Sequence, residues 1–302
     1  MTVSFCGLEL AHPVVNGSGT FDALAARRVF GDALDAGFPF SAFVSKTITA
    51  APRDGNPPPR LWETAAGMVN SIGLPNKGLD NYLAHDLPEL ARLPVPIITN
   101  VMGNTGEEVH DLVAAVSARD EVAAIELNVS CPNVKTGLDI GAVPDVLRAF
   151  MDQVRPATAK PLIVKLTPNT ADVPACAAAA EDGGADAVSL INTLRAMPLA
   201  PRDGHAPLAA PPRPWLGGGT GGQSGPAVRT IALAQVGAVC ARVAIPVIGM
   251  GGIQTAAHAR QFLDAGATLV AVGTESFRDP AVGARIAADL GWNPANSGNI
   301  PG

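Results

Sequence analysis

Cysteine is scarce in this 302-residue chain: Cys6, Cys131, Cys176 and Cys240 stand far apart, with no CxxC pair among them. That spacing excludes an iron–sulfur or zinc site built from this chain alone, and it argues against a disulfide framework. A reducing cytoplasm suits such usage. The five histidines show no HExxH and no metal spacing, so no metal is expected. Charged residues make up only 16%, against a usual ~25%, and aromatics 4%. A net charge of −6 argues against a polyanion-binding surface and so against nucleic acid as a partner. Long apolar runs are missing too. The best candidate, Val243–Ala259, is broken by Pro246, Gly249, Gly251, Gly252, Gln254, Thr255 and His258. It falls short of the roughly 18 apolar residues a spanning helix needs, so no membrane association is expected. Met1–Leu10 has no basic stretch followed by an apolar one, so no secretory signal is expected either.

What is present is an alanine-rich chain, 47% hydrophobic, with 52 Ala, 32 Gly and 27 Pro. Short apolar runs alternate with Ala-rich helical stretches, the pattern of βα units around a parallel sheet. Strands are predicted near Val14–Asn16, Ala42–Lys46, Ile97–Asn100, Ala124–Asn128, Leu162–Leu166, Ala187–Ile191, Ile245–Gly249 and Leu269–Gly273. Helices are predicted near Leu24–Asp35, Gly78–Glu89, Gly106–Ala118, Val143–Val154, Asp172–Glu181, Ala227–Val243, Thr255–Leu263 and Ala281–Asp289. Eight of each, in a chain of this length, predict an α/β fold of the (β/α)8 TIM-barrel type, with residues 1–302 as a single domain. A doubly wound open sheet is the alternative. Thr2–Leu10 alternates and predicts a short hairpin ahead of the barrel. Two connections, Thr47–Lys77 and Asn192–Pro226, far exceed the roughly 2–6 residues of an ordinary βα loop and are expected to be functional, with Ala200–Leu216 partly mobile.

Barrel active sites lie at the C-terminal ends of the strands, and here those ends are polar. Strand one runs into Asn16-Gly-Ser-Gly19 and strand two into Ser45-Lys46-Thr47. Strand three ends at Asn100, and strand four at Glu126-Leu-Asn128. Strand five carries Lys165, and strand six ends at Asn192-Thr193. A lysine inside an apolar run needs a counter-charge; an anionic cofactor or substrate would supply it for Lys46 and Lys165. Gly251-Gly252 and Gly273-Thr274 follow strands seven and eight, where barrels bind phosphate through backbone N–H groups. Gly217–Gly222 formally satisfies GxGxxG, but no strand precedes it, so it reads as a flexible or ligand-covering loop rather than a dinucleotide fingerprint. Cys131, just past strand four, places a thiol over the barrel mouth. With no histidine beside it, proton abstraction suits it better than a protease-like role.

Several segments together resemble class 1 dihydroorotate dehydrogenases over nearly the whole chain. They are Asn16-Gly-Ser-Gly-Thr-Phe21, Ser45-Lys-Thr47, Gly55-Asn-Pro57 with Arg60, Asn70-Ser-Ile-Gly-Leu74, Asn128-Val-Ser-Cys-Pro-Asn133, Lys165, Asn192-Thr-Leu194, Gly221-Gly-Gln-Ser-Gly225 and Gly249-Met-Gly-Gly-Ile253. The resemblance implies an FMN-containing barrel that oxidises dihydroorotate to orotate in pyrimidine synthesis. It makes Cys131 the base that removes the C5 proton while C6 passes hydride to the flavin. Class 2 relatives carry a serine as base and a membrane-associating segment; Cys131 favours class 1. By the same resemblance Lys46, Asn70, Ser71, Ile72, Gly73, Leu74, Asn128, Asn133, Asn192 and Thr193 hold the substrate. Ser18, Lys46, Thr47, Asn100, Asn128, Lys165, Ile191, Gly225, Gly251, Gly252, Gly273 and Thr274 line the FMN site, with Lys165 stabilising the charge of reduced flavin.

Pro132-Asn-Val-Lys-Thr-Gly137 is similar to subclass 1B, which implies a cytoplasmic homodimer joined to an FAD- and 2Fe-2S-carrying subunit in a heterotetramer that uses NAD. Two features depart from that pattern: Leu138 stands where a second Gly is frequent, and Ala200–Leu216 is longer than usual. A fumarate-using class 1A homodimer is one alternative. A non-redox barrel using Lys165 as a Schiff-base nucleophile is another.

Overall fold

Eight short strands pair in parallel to form a barrel wall in a computed structural model that describes residues 2–129, 140–201 and 213–292. They are β1 (Val14–Asn16), β2 (Phe43–Val44), β3 (Ile97–Val101), β4 (Val122–Asn128), β5 (Leu162–Lys165), β6 (Ala187–Leu190), β7 (Val247–Met250) and β8 (Leu269–Val272). The ladder runs β1-β8-β7-β6-β5-β4-β3-β2. Helical segments sit between successive strands, so the architecture is the (β/α)8 barrel that the alternation predicts. Helix starts are fixed locally. Asp22, Thr105, Asp172 and Thr255 each accept a hydrogen bond from the backbone N–H three residues on, a cap worth about 1 kcal/mol.

Each strand is buried on both faces, which is why the strands read as unbroken apolar runs. Val15, Ile98, Ala124, Ile163, Ala187, Ile248, Leu269 and Ala271 pack with Phe5 and Leu10 of the N-terminal hairpin, Val3–Phe5 with Leu8–Leu10. The hairpin closes the end of the barrel away from the polar strand ends. Its turn residues Cys6 and Gly7 have φ of 50° and 80°, and the Cys6 thiol donates to the Asp186 carbonyl just ahead of β6. Burial, aided by Asp186, pushes that thiol up to about 11, so Cys6 is an unreactive packing residue.

Nearby, His12 Nδ1 accepts from the Val14 N–H, and burial pulls the imidazole down to about 4. The unfolded chain's His12 titrates near its usual value, so it binds a proton at a pH where the folded protein stays neutral. The stability this group contributes is full above pH ~6.5 and is lost as the pH falls toward 4, to a limit of about 3 kcal/mol. The urea midpoint of the wild type should therefore fall more steeply between pH 6.5 and 4.5 than that of His12→Gln; parallel curves would refute this.

The barrel seam departs from the predicted strands. β2 was expected over Ala42–Lys46, but only Phe43–Val44 pairs as strand, and only with β3. On its other side the Val44 N–H donates to Asn16 Oδ1 and the Val44 carbonyl accepts from Asn16 Nδ2, both at 2.8 Å. The Ser41 N–H bonds the Val14 carbonyl. A side-chain amide thus stands in for the β1–β2 ladder.

The two long connections are not plain loops. Each contributes two strands to one antiparallel sheet: Leu61–Thr64 and Gly67–Asn70 from the first, Leu194–Ala196 and Gly221–Ser224 from the second. Trp62 and Trp215 meet edge to face at 5.2 Å and tie the two connections together. Most of Ala200–Leu216 lies outside the described residues.

Candidate active site

Parallel register carries polar residues inward on adjacent strands. Asn100 pairs with Glu126, Asn128 with Lys165, and Lys165 with Ser189. The result is a polar layer directly above the apolar barrel core. Glu126 is 2% exposed and Lys165 7%. Glu126 Oε1 accepts from Asn100 Nδ2 at 2.5 Å, and Oε2 accepts from the Ser189 hydroxyl at 2.8 Å. The Lys165 ammonium lies 3.9 Å from Glu126 Oε1. The counter-charge expected of a ligand is therefore supplied in part by the protein itself. Because an ionised Glu126 can only accept, Asn100 must present its Nδ2 to it. That leaves Asn100 Oδ1 buried without a hydrogen-bond partner among the described residues. A buried orphan acceptor is costly and calls for a donor.

Ser18 and Thr47 lie beside this layer. The Ser18 hydroxyl donates to the Ser45 carbonyl at 2.8 Å and stands 3.5 Å from Thr47 Oγ1. Lys46 is exposed, unlike Lys165, yet its surroundings desolvate the ammonium enough to lower its pKa; Asp22 opposes the shift and Arg60 adds to it. A cation so placed gains from an incoming anion.

The turns after β7 and β8 are closely packed. Gly251 and Gly252 have φ of 138° and 69°. A Cβ on Gly251 would meet Ala232 Cβ at 2.5 Å, and one on Gly252 the Gly225 carbonyl at 2.6 Å, so neither position admits a side chain. Ile191 is buried against Gly251, and its N–H bonds the Met250 carbonyl. Gly273 precedes the short turn Thr274–Phe277, and the Thr274 hydroxyl donates to Ser224 Oγ at 2.9 Å.

The predicted substrate loop follows the strand Gly67–Asn70. Asn70 Nδ2 reaches the Gly222 carbonyl at 3.4 Å. Ser71 is buried, and its hydroxyl bonds Asn56 Nδ2 at 2.8 Å, so it acts as loop support. Ile72 and Gly73 carry the turn on. Leu74 has φ 55°, a left-handed conformation that costs a branched residue roughly 1 kcal/mol or more. Asn76 holds that turn: it donates to the Leu74 carbonyl and accepts from the Thr49 and Gly78 N–H groups. Opposite, the Asn192 side-chain oxygen accepts from the Thr193 N–H at 2.8 Å, and Asn169 anchors the segment through the Thr193 carbonyl and the Arg195 N–H.

The Gly217–Gly222 run is held, not free. A Cβ on Gly217, Gly218, Gly221 or Gly222 would overlap Pro57, Ser71, Asn70 or Thr193 respectively. These glycines let the second long connection press against the predicted substrate loop. Cys131 and Asn133, the predicted base and its neighbour, lie outside the described residues.

Sequence reasoning gave no role to Glu126, Asn56, Asn76 or Asn169. Glu126 carried a readable signal: it lies two residues before Asn128 on the same strand and so shares its face. The other three act through loop contacts that have no local signature.

The family profile for dihydroorotate dehydrogenase matches residues 1–292. The chain belongs to the dihydroorotate dehydrogenase family. It is 45% identical over 291 residues to "Dihydroorotate dehydrogenase B (NAD(+)), catalytic subunit" of Geobacillus kaustophilus, covering 96% of this chain and 89% of that one. The protein of that name from Pelobacter propionicus is 44% identical, at 96% and 92% coverage. In fold, the chain is similar to a crystal structure of DHODH from Eimeria tenella in complex with ferulenol, with a TM-score of 0.76, 23% identity, and coverage of 96% of this chain and 83% of that one. That likeness supports the barrel fold of this dihydroorotate dehydrogenase family member. Among the described residues no helix is long and apolar enough to cross a membrane, and no group of three or more His, Cys, Asp or Glu is placed to hold a metal.

Proposed function

We propose that this chain is the catalytic subunit of an NAD-linked type B dihydroorotate dehydrogenase, oxidising dihydroorotate to orotate with FMN in pyrimidine synthesis. The observation that carries the reading is the buried layer Asn100–Glu126–Ser189–Lys165 at the C-terminal mouth of a barrel of this family. Its orphaned Asn100 Oδ1 lacks a donor, and the pyrimidine edge of a flavin carries an N–H. Its lysine offers a cation to the same edge, and the Gly251-Gly252 and Gly273-Thr274 turns fit a phosphate. The residues present therefore suit FMN. When bound, FMN supplies the acceptor for the electron pair that leaves C6 of dihydroorotate as hydride.

The chain's own residues do the rest. Lys165, Asn100, Ser18, Thr47, Ile191 and Gly225, with Lys46 and Asn128, hold the cofactor's ring and chain. Lys46 gives its charge to the substrate carboxylate. Asn70, the Ser71–Leu74 backbone, Asn128, Asn133, Asn192 and Thr193 orient the planar ring. Cys131 takes the C5 proton onto its sulfur, so that loss of a proton from C5 and of hydride from C6 together leave the C5–C6 double bond of orotate. An electron-transfer subunit bearing FAD and a 2Fe-2S cluster passes the electrons to NAD, in a cytoplasmic heterotetramer built on a homodimer of this chain.

Purified protein should be yellow, and its flavin absorbance should bleach on adding dihydroorotate without oxygen. Flavin that does not bleach would refute the substrate; colourless protein that takes up no FMN would refute the cofactor. Cys131→Ser should slow that bleaching at neutral pH by roughly 10²–10⁴-fold, with recovery as the pH rises. Unchanged turnover would remove Cys131 from the role of base.

A further inference from the structure

We infer that Glu126 is a positioning residue that acts through Lys165: its buried carboxylate partly neutralises the Lys165 ammonium and so sets how strongly that ammonium stabilises a reduced flavin. The inference rests on the FMN reading above.

A carboxylate that is 2% exposed inside a barrel wall is expensive unless it is held. Glu126 is held on both oxygens, by Asn100 Nδ2 at 2.5 Å and by the Ser189 hydroxyl at 2.8 Å. These bonds aim it beneath Lys165. The third contact is different in kind. At 3.9 Å, Lys165 Nζ is too far from Oε1 for a hydrogen bond. Glu126 therefore gives Lys165 electrostatic compensation without consuming its N–H donors, which among the described residues would remain for an acceptor on a bound flavin. Asn100 adds to the arrangement, since bonding Glu126 through Nδ2 turns its orphaned Oδ1 away from the carboxylate.

The charge balance gives the consequence. With oxidised, neutral flavin the pair sums to zero. Electron uptake adds negative charge to the pyrimidine side, which Lys165 attracts and Glu126 repels. Removing the Glu126 charge leaves the attraction undiminished, so the reduced cofactor is favoured. Glu126→Gln suits this test, because the amide still accepts from Asn100 and the Ser189 hydroxyl can turn to accept from the new N–H.

Sulfite is a convenient probe, since its addition to flavin also leaves negative charge on the ring. Glu126→Gln should bind sulfite on the order of tenfold more tightly than wild type, the size expected for removing one partly screened buried charge. Its two-electron midpoint potential should be higher by about 30 mV, the equivalent of that tenfold. Glu126→Asp, which keeps the charge, should stay near wild type. If Glu126→Gln holds FMN weakly, the ratio of its affinities for reduced and oxidised FMN must change by the same factor, by the thermodynamic cycle. An unchanged or lower potential, or an unchanged affinity ratio, overturns the inference. A wild-type protein that takes up no FMN would instead overturn the cofactor reading.

Discussion

Replacing Lys165 with methionine should slow anaerobic flavin reduction by dihydroorotate by on the order of 10²–10³-fold, while FMN still binds. Removing one preorganised stabiliser of developing charge costs that much in comparable sites. Here the loss is compounded, because Glu126 stays behind. With Lys165 gone, a carboxylate buried to 2% exposure and fixed by Asn100 and Ser189 would be left without its cation. Its field then opposes the electrons that must arrive. The double variant Lys165→Met with Glu126→Gln should accordingly recover part of the lost rate, a coupling that two independent residues would not show. Lys165→Arg, which keeps a cation, should retain more activity than Lys165→Met. Stopped-flow absorbance at the flavin band measures all of these. A Lys165→Met rate within threefold of wild type, or strict additivity in the double variant, would show that the pair does not act on the flavin.

That pair also marks how far the sequence alone could be read. Two-face burial makes barrel strands into short apolar runs, so all eight strands stand close to where their residues predict them. Polar residues at their C-terminal ends were legible for the same reason: a lysine or asparagine interrupting such a run is conspicuous. What a single chain does not display is register. Lys165 was expected to find its counter-charge in a ligand, because the pairing of Asn128 with Lys165, which brings Glu126 within 3.9 Å, exists only once β4 and β5 are aligned. The sheet over the mouth was hidden similarly. Gly221-Gly-Gln-Ser224 has almost no strand propensity, and it becomes a strand by lying against Asn70, 152 residues earlier. The glycines that weaken it as a strand are what let it come so close to Thr193 and Asn70.

Asn16 is the clearest case of a residue seen for one reason and used for another. It drew notice as a strand-end asparagine of the site, yet its amide closes the barrel. Val44 turns its N–H and carbonyl toward β1, where no ladder partner meets them, and Asn16 satisfies both at 2.8 Å. Asn16→Ala should therefore leave a buried donor and a buried acceptor unpaired at the seam. Each such group costs about 1–3 kcal/mol, so a loss of roughly 2–6 kcal/mol is expected, one of the larger effects available to a single substitution here. Asn16→Asp should not rescue it, since a carboxylate can accept from the Val44 N–H but would confront the Val44 carbonyl with like charge. Gln is too long to reach both atoms from the same backbone position. The damage should also spread along the chain, because Gly17 and Ser18 follow at once and Ser18 bonds the Ser45 carbonyl across the same seam. A lower urea midpoint accompanied by weaker FMN retention is the expected result. An unfolding free energy within about 0.5 kcal/mol of wild type, a rough limit for a neutral surface change, would mean that the seam is held elsewhere.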